Sequence, residues 1–331
     1  MAISCQLCKN DASLYFTVRD FNQERSKETF TYYICPSCKL IFVSPIPDSL
    51  GDYYTPTYPA YQMPTIQDLA VKAEQERYKL EILHNVITRG RLLEIGPAYG
   101  GFAYLAKQAG FEVEAIEMDE RCCQFLTDVV GIKAVNSNDI PKALTDLQPY
   151  DAIILWHVIE HLANPWGTLE AIANKLLPGG VIVISAPNPH ALQFKIFGRY
   201  WTHVDAPRHL ELIPVQLLSK QLETFGMKPV SITTRDKASM IFSTFGWWLL
   251  SFHIFLKESR PLSWGKISKY LVKTKQPAEF PSFSAKISFF RVRLINRIIT
   301  AILRVIFSQI LRPLERIEGQ GCAYTVILRK N

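Results

Sequence analysis

Three side chains that can move protons or bind metal follow one apolar run within five positions. The stretch YDAIILWHVIEHLANP, Tyr150 to Pro165, begins like a buried strand and then places His157, Glu160 and His161. If the next helix begins near Val158, these positions have the i, i+3, i+4 spacing of one helical face. The sequence therefore predicts that the three side chains converge at the end of this strand.

A second polar group follows the next predicted strand, in the stretch FGRYWTHVDAPRHLELI, and contains His203, Asp205, Arg208 and His209. We expect this loop to fold over the same sheet edge and to form the wall that faces the substrate. Imidazole suits a base that works near neutral pH. Three interpretations of the histidines and the carboxylate stay open: acid–base chemistry with substrate hydrogen bonding, a catalytic divalent metal, or helix capping and core packing.

Four cysteines near the N-terminus have the spacing of a metal site. Cys5 and Cys8 lie in CQLC, and Cys35 and Cys38 lie in CPSC, with an aromatic, strand-like stretch between the two pairs. Two CxxC pairs offer four thiolates for tetrahedral zinc, closed and without an open position. The sequence predicts a structural zinc ribbon over residues 1–48; the alternative is four unrelated free thiols.

Composition and charge limit the classes of function. The chain has 331 residues, 48% of them apolar, which can build a core, and its seven cysteines come without a recognisable signal segment. These features predict a folded protein in the cytoplasm. The net charge of +7 is uneven, because fifteen Lys and Arg against four Asp and Glu from residue 257 onward leave −4 for residues 1–256. Nucleic acid is therefore not an expected partner.

A glycine-rich turn lies between an apolar strand and a helix in RLLEIGPAYGGFAYLAKQAG, and FEVEAIEMD reads as the next strand. Gly96 and Gly100 would let the backbone approach a ligand, and Glu117 could accept hydrogen bonds from ribose hydroxyls. The pattern is ExGxxxG rather than GxGxxG, and Pro97 lacks the N–H that a diphosphate would need. The turn therefore disfavours a dinucleotide.

Five motifs, LLEIGPAYGGF, AIEMD, NDI, YDAIILWHVIEHLANP and LLPGGVIVISAPNP, occur in the order and spacing of one family. Together they resemble the class I S-adenosylmethionine-dependent methyltransferases. The resemblance implies an α/β fold with a doubly wound, seven-stranded, Rossmann-like sheet. We expect five segments: a zinc ribbon (1–48), a linker and leading helix (49–85), the methyltransferase core (86–235), a helical insertion (236–318) and the final strand (319–331).

The same resemblance implies contacts with S-adenosylmethionine at seven positions: Glu94, Gly96, Gly100, Glu117, Asp139, Ile140 and Trp156. Glu94 and Gly96 would flank the methionine moiety, and Glu117 would hold the ribose. Asp139 and the backbone of Ile140 would face the adenine amine. Taken singly, each residue also has an ordinary structural interpretation, such as a helix cap for Asp139.

The histidine motif also resembles a metal site of related O-methyltransferases, in which ExxEH is followed by a later histidine. The resemblance implies a second divalent metal at His157, Glu160, His161 and His209. His157 stands where that pattern has its first glutamate, and this departure disfavours Mg²⁺. Several imidazoles would suit a softer ion better than Mg²⁺. Without a metal, the same residues and His203 would be the catalytic acid–base groups.

The zinc ribbon before a methyltransferase core resembles a subgroup associated with sugar or polysaccharide modification. We therefore expect a hydroxyl of a sugar or glycan as the methyl acceptor, with a lipid-linked glycan as one form of it. A quinone or another lipid-like phenol is the alternative acceptor. A second alternative is a non-catalytic module that binds zinc and the cofactor.

A late segment is both apolar and basic. Residues 238–256 carry no formal charge, and in a later helix that includes RVRLINRIITAILRVIFSQIL, one side would carry Lys286, Arg293, Arg297 and Arg304. An amphipathic helix of this kind can lie on an anionic membrane surface. We expect peripheral membrane contact through residues 238–312; the alternative is a helical subdomain or a homodimer interface.

Overall fold

A computed structural model describes residues 3–54, 64–241, 243 and 311–331 of the chain. Its strands are β1 (Ile3–Ser4), β2 (Asp11–Arg19), β3 (Thr29–Ile34), β4 (Ile41–Val43), β5 (Arg91–Ile95), β6 (Glu112–Glu117), β7 (Lys133–Asn136), β8 (Tyr150–Trp156), β9 (Leu176–Pro187), β10 (Glu211–Leu212), β11 (Met227–Thr233) and β12 (Ala323–Lys330). Its α-helices are α1 (Ile66–Glu74), α2 (Arg77–His84), α3 (Gly101–Gln108), α4 (Glu120–Phe125), α5 (Ile140–Thr145), α6 (Pro165–Lys175), α7 (Leu192–Phe197), α8 (Val215–Thr224), α9 (Lys237–Met240) and α10 (Arg312–Glu315).

Seven strands form the central sheet in the order β11-β12-β9-β8-β5-β6-β7. Strands β5 to β9 are parallel, whereas β12 runs antiparallel to both β9 and β11. The continuous apolar runs in β8 and β9 are buried, as expected for parallel strands that helices cover on both faces. The predicted doubly wound α/β sheet with an antiparallel final pair is confirmed.

The carboxyl ends of β5, β6 and β8 meet at one edge of this sheet. The chain enters at β5, adds β6 and β7 on one side, and then returns to add β8 and β9 on the other. Ligands of doubly wound sheets bind where the strand order reverses in this way. Glu94, Glu117 and Trp156, near the ends of these strands, therefore lie where a site is expected.

The N-terminal strands form a separate antiparallel sheet that includes a strand from the core. Its order is β1-β2-β3-β4-β10, with Glu211 of β10 opposite Phe42 of β4. The sequence predicted a loop at this point, because two residues are too few to show an alternating pattern. Strand β10 joins the cysteine-bearing segment directly to the loop that contains the later histidines.

The single leading helix predicted at the end of segment 49–85 is in fact two helices, α1 and α2. Glu76 leaves the helical conformation between them, with φ −98° and ψ 3°. Its carboxylate instead accepts hydrogen bonds from Lys79 and from the hydroxyl of Tyr99, 2.6 Å each.

Most of the predicted insertion, including nearly all of the apolar stretch 238–256 and the basic stretch up to residue 310, lies outside the described residues. The predicted membrane contact and homodimer interface fall there. In the part of the chain that the structure describes, no helix has the length and apolarity that a membrane crossing requires.

Candidate active site

A cavity of about 1060 Å³ opens at the carboxyl edge of the central sheet. The glycine-rich turn and the ends of β5 and β6 line one part of it. The end of β8, the loop 199–209 and residues of the N-terminal sheet line the other part. Sites for one small ligand usually span about 300–1,000 Å³, so this cavity has room for a cofactor and an acceptor together.

Glu94 and Gly96 line the part of the cavity beside the glycine-rich turn, where the sequence predicts the cofactor. Glu94 is only 3% exposed, and its Oε2 atom has no hydrogen-bond partner among the described residues. Burial raises the pKa of Glu94 to about 8, although the nearby Lys79 ammonium opposes this shift. Gly96 has φ +68°, and a Cβ there would come within 2.7 Å of the Val158 side chain. An unpaired buried acceptor beside a backbone that tolerates no side chain fits the amino acid moiety of S-adenosylmethionine.

Glu117 lies at the end of β6, with its carboxylate held in place by backbone donors. It accepts hydrogen bonds from the N–H groups of Ala98 and Asp119, each 2.9 Å long. Burial raises its pKa, and these hydrogen bonds oppose the shift. A carboxylate has more acceptor positions than these two, so the ribose role predicted for Glu117 is compatible with this geometry.

Two of the predicted cofactor residues are not among the cavity-lining residues. Gly100 precedes α3 with φ +78° and is not among the cavity-lining residues; a Cβ there would collide with Leu126. Asp139 is exposed and caps α5 by accepting the Lys142 N–H at 3.1 Å. Asp139, like Gly100, does not line the cavity, whereas Ile140 does.

Sequence reasoning missed the part of α2 that faces the cofactor. The Lys79 ammonium lies 5.6 Å from the centre of the Trp156 ring and pairs with Glu76 at 2.6 Å. Lys79 of α2 and Glu76, the residue just before α2, both line the cavity, as does Trp156 at the end of β8. No local spacing links α2 to the glycine-rich turn, since only the fold brings the two together.

The first three predicted chemical residues do converge, but not on one helical face. His157 has φ +56°, so the chain turns sharply after β8. Glu160 and His161 then lie in a short 3-10 helix, and α6 begins only at Pro165. The prediction of a helix from Val158 is therefore wrong, because the left-handed residue breaks the backbone spiral.

The structure brings Glu160, His161 and His209 into one cluster. One possible ligand atom from each residue lies within 4.8 Å of those of the other two. Glu160 is 1% exposed, and neither of its carboxylate oxygens has a hydrogen-bond partner among the described residues. His157, which the sequence placed in the same metal set, is outside this cluster; its Nδ1 atom lies 3.4 Å from Glu160 Oε1.

Backbone carbonyl oxygens lie against Nδ1 of two of these histidines, and each favours one tautomer of its ring. Nδ1 of His161 lies 3.0 Å from the Arg208 carbonyl oxygen, and Nδ1 of His209 lies 2.7 Å from the His203 carbonyl oxygen. A carbonyl oxygen only accepts hydrogen bonds, so each neutral ring carries its proton on Nδ1. In both rings Nε2 is then left with the lone pair that can accept a proton or bind a metal.

The charge state of the cluster follows from burial. Burial opposes ionisation of Glu160, but the contact with His157 and the positive charge of neighbouring imidazoles lower its pKa to about 2. Burial lowers the pKa of His161 to about 4 and that of His203 to about 3. At neutral pH Glu160 is therefore a carboxylate and His161 a neutral imidazole, the states in which these groups bind metal ions.

Arg208, which the sequence placed on the substrate wall, is instead fully buried behind it. Its guanidinium pairs with Asp20 of the N-terminal segment at 2.6 Å and with Asp205 at 2.8 Å. Arg208 does not line the cavity, whereas His203, Asp205 and His209 do. Arg208 is buried because the two buried carboxylates, Asp20 and Asp205, require a cation between them.

The N-terminal sheet holds the histidine loop through hydrogen bonds as well. The hydroxyl of Tyr32 donates to the His209 carbonyl oxygen at 2.6 Å, and the Val43 N–H donates to the Leu210 carbonyl oxygen at 2.9 Å. Asn22 donates to the Asp205 carboxylate at 2.6 Å. Val18, Phe21 and Gln23 line the cavity beside Asn22, so the N-terminal segment forms one wall of the site.

The four N-terminal cysteines lie together at the far end of that sheet. Sulfur to sulfur, Cys5 is 3.6 Å from Cys38, Cys8 is 3.4 Å from Cys35 and Cys8 is 3.8 Å from Cys38. Tetrahedral zinc with bonds of about 2.3 Å separates its sulfur ligands by about 3.8 Å. The spacing of the thiols therefore fits a zinc ion.

Residues 71–232 match the model of the family described as "Methyltransferase domain". A ubiquinone biosynthesis O-methyltransferase of Cereibacter sphaeroides is 26% identical over 172 residues, which are 49% of this chain and 68% of that protein. Another, from Dinoroseobacter shibae, is 26% identical over 163 residues, 46% of this chain and 64% of that protein. A solved structure of a SAM-dependent methyltransferase from Archaeoglobus fulgidus is 22% identical, covers 78% of this chain and 94% of its own, and has a TM-score of 0.46.

The family match covers the strands of the central sheet except β12 and the last residue of β11, and it includes the glycine-rich turn and the ends of β5 and β6 that line the cavity. Residues 71–232 are a class I methyltransferase domain. The chain is thus an enzyme, an S-adenosylmethionine-dependent methyltransferase, and the alternative of a non-catalytic module is not retained.

Proposed function

We propose that this enzyme transfers the methyl group of S-adenosylmethionine to a hydroxyl oxygen of a small-molecule acceptor. The observation that carries the proposal is the carboxylate of Glu160, buried without a hydrogen-bond partner among the described residues and flanked by imidazoles at the end of β8. A buried anion of this kind needs a positive partner during the reaction. That partner can be the imidazolium that forms when a neighbouring histidine takes the hydroxyl proton, or a metal ion that binds the hydroxyl.

Methyl transfer to oxygen requires alignment of the reactants and removal of one proton. The acceptor oxygen bonds to the methyl carbon while the carbon–sulfur bond breaks, and the hydroxyl proton leaves to a base. His157 suits that base because its side chain lines the cavity and its Nδ1 lies 3.4 Å from Glu160 Oε1. The Glu160 carboxylate would stabilise the imidazolium that forms, as a carboxylate does for histidine in other enzymes.

Glu160, His161 and His209 also suit a divalent cation. Two imidazoles with fixed tautomers and one carboxylate form a three-ligand set that leaves coordination positions open. A divalent cation bound there would lower the pKa of an acceptor hydroxyl and hold its oxygen. His157 would then remain the base, outside the ligand set.

The acceptor we favour is a phenol of the quinone type. The relatives from Cereibacter and Dinoroseobacter, each 26% identical, are named for ubiquinone biosynthesis. Phe21, Tyr200 and Trp201 line the outer part of the cavity and could pack against an aromatic ring.

A sugar hydroxyl is the second candidate. Its support is the polar character of the wall that the N-terminal segment contributes, where Asn22, Gln23 and Asp48 line the cavity. Such side chains suit an acceptor with several hydroxyls. The cytoplasmic location, membrane-surface contact and homodimer remain predictions from the sequence.

A direct test offers the purified enzyme and labelled S-adenosylmethionine two acceptors: an ortho-dihydroxyphenol with a prenyl chain, and a nucleotide-linked sugar. Methylation of the phenol would support the favoured acceptor, and methylation of the sugar alone would replace it with the second candidate. The same assay after dialysis against a strong chelator tests the metal. Full activity with only cysteine-bound zinc retained would exclude a catalytic cation and leave His157 and Glu160 as the working pair.

We also propose that Cys5, Cys8, Cys35 and Cys38 hold a structural zinc ion. Four thiolates close the coordination sphere, so the ion would take no part in the methyl transfer. Its effect would be to hold the ends of the N-terminal strands together, and through them the wall of the cavity.

A further inference from the structure

Tyr54 brings a hydroxyl from the N-terminal segment into the histidine cluster. It directly follows a short 3-10 helix, Leu50–Tyr53, and lines the cavity. Its hydroxyl oxygen lies 2.7 Å from Nδ1 of His161, and the two rings meet edge to face with their centres 5.9 Å apart. No motif or spacing in the sequence connects Tyr54 to His161, 107 positions later.

Three atoms meet at this point and define who donates to whom. The Arg208 carbonyl oxygen lies 3.0 Å from His161 Nδ1 and 3.4 Å from the Tyr54 hydroxyl oxygen. Because the carbonyl can only accept, the imidazole N–H points toward the pair of oxygens and the tyrosine O–H points toward the carbonyl. A tautomer with its proton on Nε2 would instead set a nitrogen lone pair against the carbonyl oxygen.

We propose that Tyr54 is a positioning residue, whose hydroxyl acts with the Arg208 carbonyl oxygen to fix the ring orientation and the tautomer of His161, so that Nε2 presents its lone pair to the reaction site. The role resembles that of the groups that orient metal-bound histidines from behind, whose loss typically weakens metal binding about 10–100-fold. The part of the inference that concerns Nε2 as a ligand rests on the proposed function, whereas the tautomer does not.

The N-terminal segment would then have a second role at the site. Besides forming a wall of the cavity, it would set the chemical state of a residue in the cluster. Tyr54 reaches His161, while Tyr32 holds the backbone of His209 through its carbonyl oxygen. Two tyrosines of one segment thus contact both histidines of the candidate metal site.

The chain offers a matched control in the preceding residue. Tyr53 also has a hydroxyl contact, 3.3 Å to Glu28, but at the surface and away from the cavity. Tyr54→Phe and Tyr53→Phe each remove one hydroxyl and keep the ring. Phenylalanine at position 54 retains the edge-to-face contact with His161, so we expect the fold to be preserved.

The test uses the full chain labelled with ¹⁵N in its histidines, with the His161 signals assigned from a His161→Gln variant. We expect His161 in the wild type and in Tyr53→Phe to be protonated on Nδ1 and not on Nε2. In Tyr54→Phe the Nδ1–H keeps only the more distant acceptor, the Arg208 carbonyl oxygen, so the Nε2–H tautomer should gain population and the two nitrogen shifts should move toward each other. Wild-type shifts in Tyr54→Phe would overturn the proposal.

A titration with Mn²⁺, followed by the electron paramagnetic resonance signal of the free ion, gives a second readout. Tyr54→Phe should bind Mn²⁺ about 10–100-fold more weakly than the wild type, and Tyr53→Phe should match the wild type. Equal affinity in Tyr54→Phe would refute any effect of Tyr54 on the ligand. If the wild type itself does not bind Mn²⁺, the proposed metal site is wrong, and the nitrogen shifts alone decide the role of Tyr54.

Discussion

The buried ion pairs of Arg208 predict how strongly the N-terminal segment supports the active-site loop. Arg208 and Asp20 have fully buried side chains, and the guanidinium reaches both oxygens of Asp20, at 2.6 and 3.3 Å. In Asp20→Asn the arginine keeps Asp205 but loses one charged partner, and the new amide turns donors toward a donor. Breaking a buried pair in this way costs about 3–5 kcal/mol. At about 2 °C per kcal/mol, the lower end of the range for large domains, Tm should fall by about 6–10 °C.

The assay is thermal unfolding of wild type, Asp20→Asn and Asp128→Asn, the last being an exposed aspartate away from the cavity. Methyl transfer should be measured on the same samples below the unfolding range. We expect Asp20→Asn to lose both stability and kcat, because His203 and His209 belong to the loop that Arg208 anchors. A Tm equal to that of Asp128→Asn would refute the assignment of a buried ion pair.

Three further predictions concern other parts of the molecule. Burial raises the pKa of Glu211 to about 8 in the folded protein. As the pH rises, the unfolded chain therefore loses the Glu211 proton before the folded protein does. Through this group the free energy of unfolding should fall by up to about 1.4 kcal/mol per pH unit between about pH 4.5 and 8. Urea unfolding of Glu211→Met at pH 5 and pH 8 should lack that component; an unchanged pH dependence would contradict it. Gly96→Ala should weaken the binding of S-adenosylhomocysteine by about tenfold or more in calorimetry, because the backbone at Gly96 is left-handed and the new Cβ would collide with Val158. The control Gly226→Ala should bind normally, because Gly226 has a similar φ but open space around it. We expect atomic absorption to find zinc in the wild type and in Cys322→Ser, which changes a buried thiol outside the cluster, but not in Cys35→Ser. Equal zinc content in the two variants would exclude the four-thiolate site.

Much of the central sheet could be predicted from the sequence, since its strands have local signals. The apolar runs of β8 and β9 and the glycine-rich turn after β5 each carry their own pattern, and the structure has them where they were expected. A parallel sheet with a reversed strand order then determines the edge where a ligand binds. The sequence placed Glu94, Gly96 and His157 at this edge, and all three line the cavity.

The parts that were missed depend on contacts between distant segments. Asp20 pairs with Arg208 across 188 positions, and Tyr54 reaches His161 across 107. No local periodicity encodes such pairs, so Arg208 looked like a substrate contact although its guanidinium is buried. His157 shows the opposite problem, because its left-handed backbone cannot be read from a spacing that suits a helix.

The most direct test of the central claim is the chemical position of the transferred methyl group. The enzyme would be given S-adenosylmethionine with a ¹³C-labelled methyl and an extract of the source cell, and the product carbon would be identified by NMR. The account predicts a methoxy carbon with the wild type and with Glu170→Gln, an exposed glutamate on α6, and a loss of about 10²-fold or more with Glu160→Gln. A label on carbon or nitrogen, or full methoxy formation by Glu160→Gln, would contradict it.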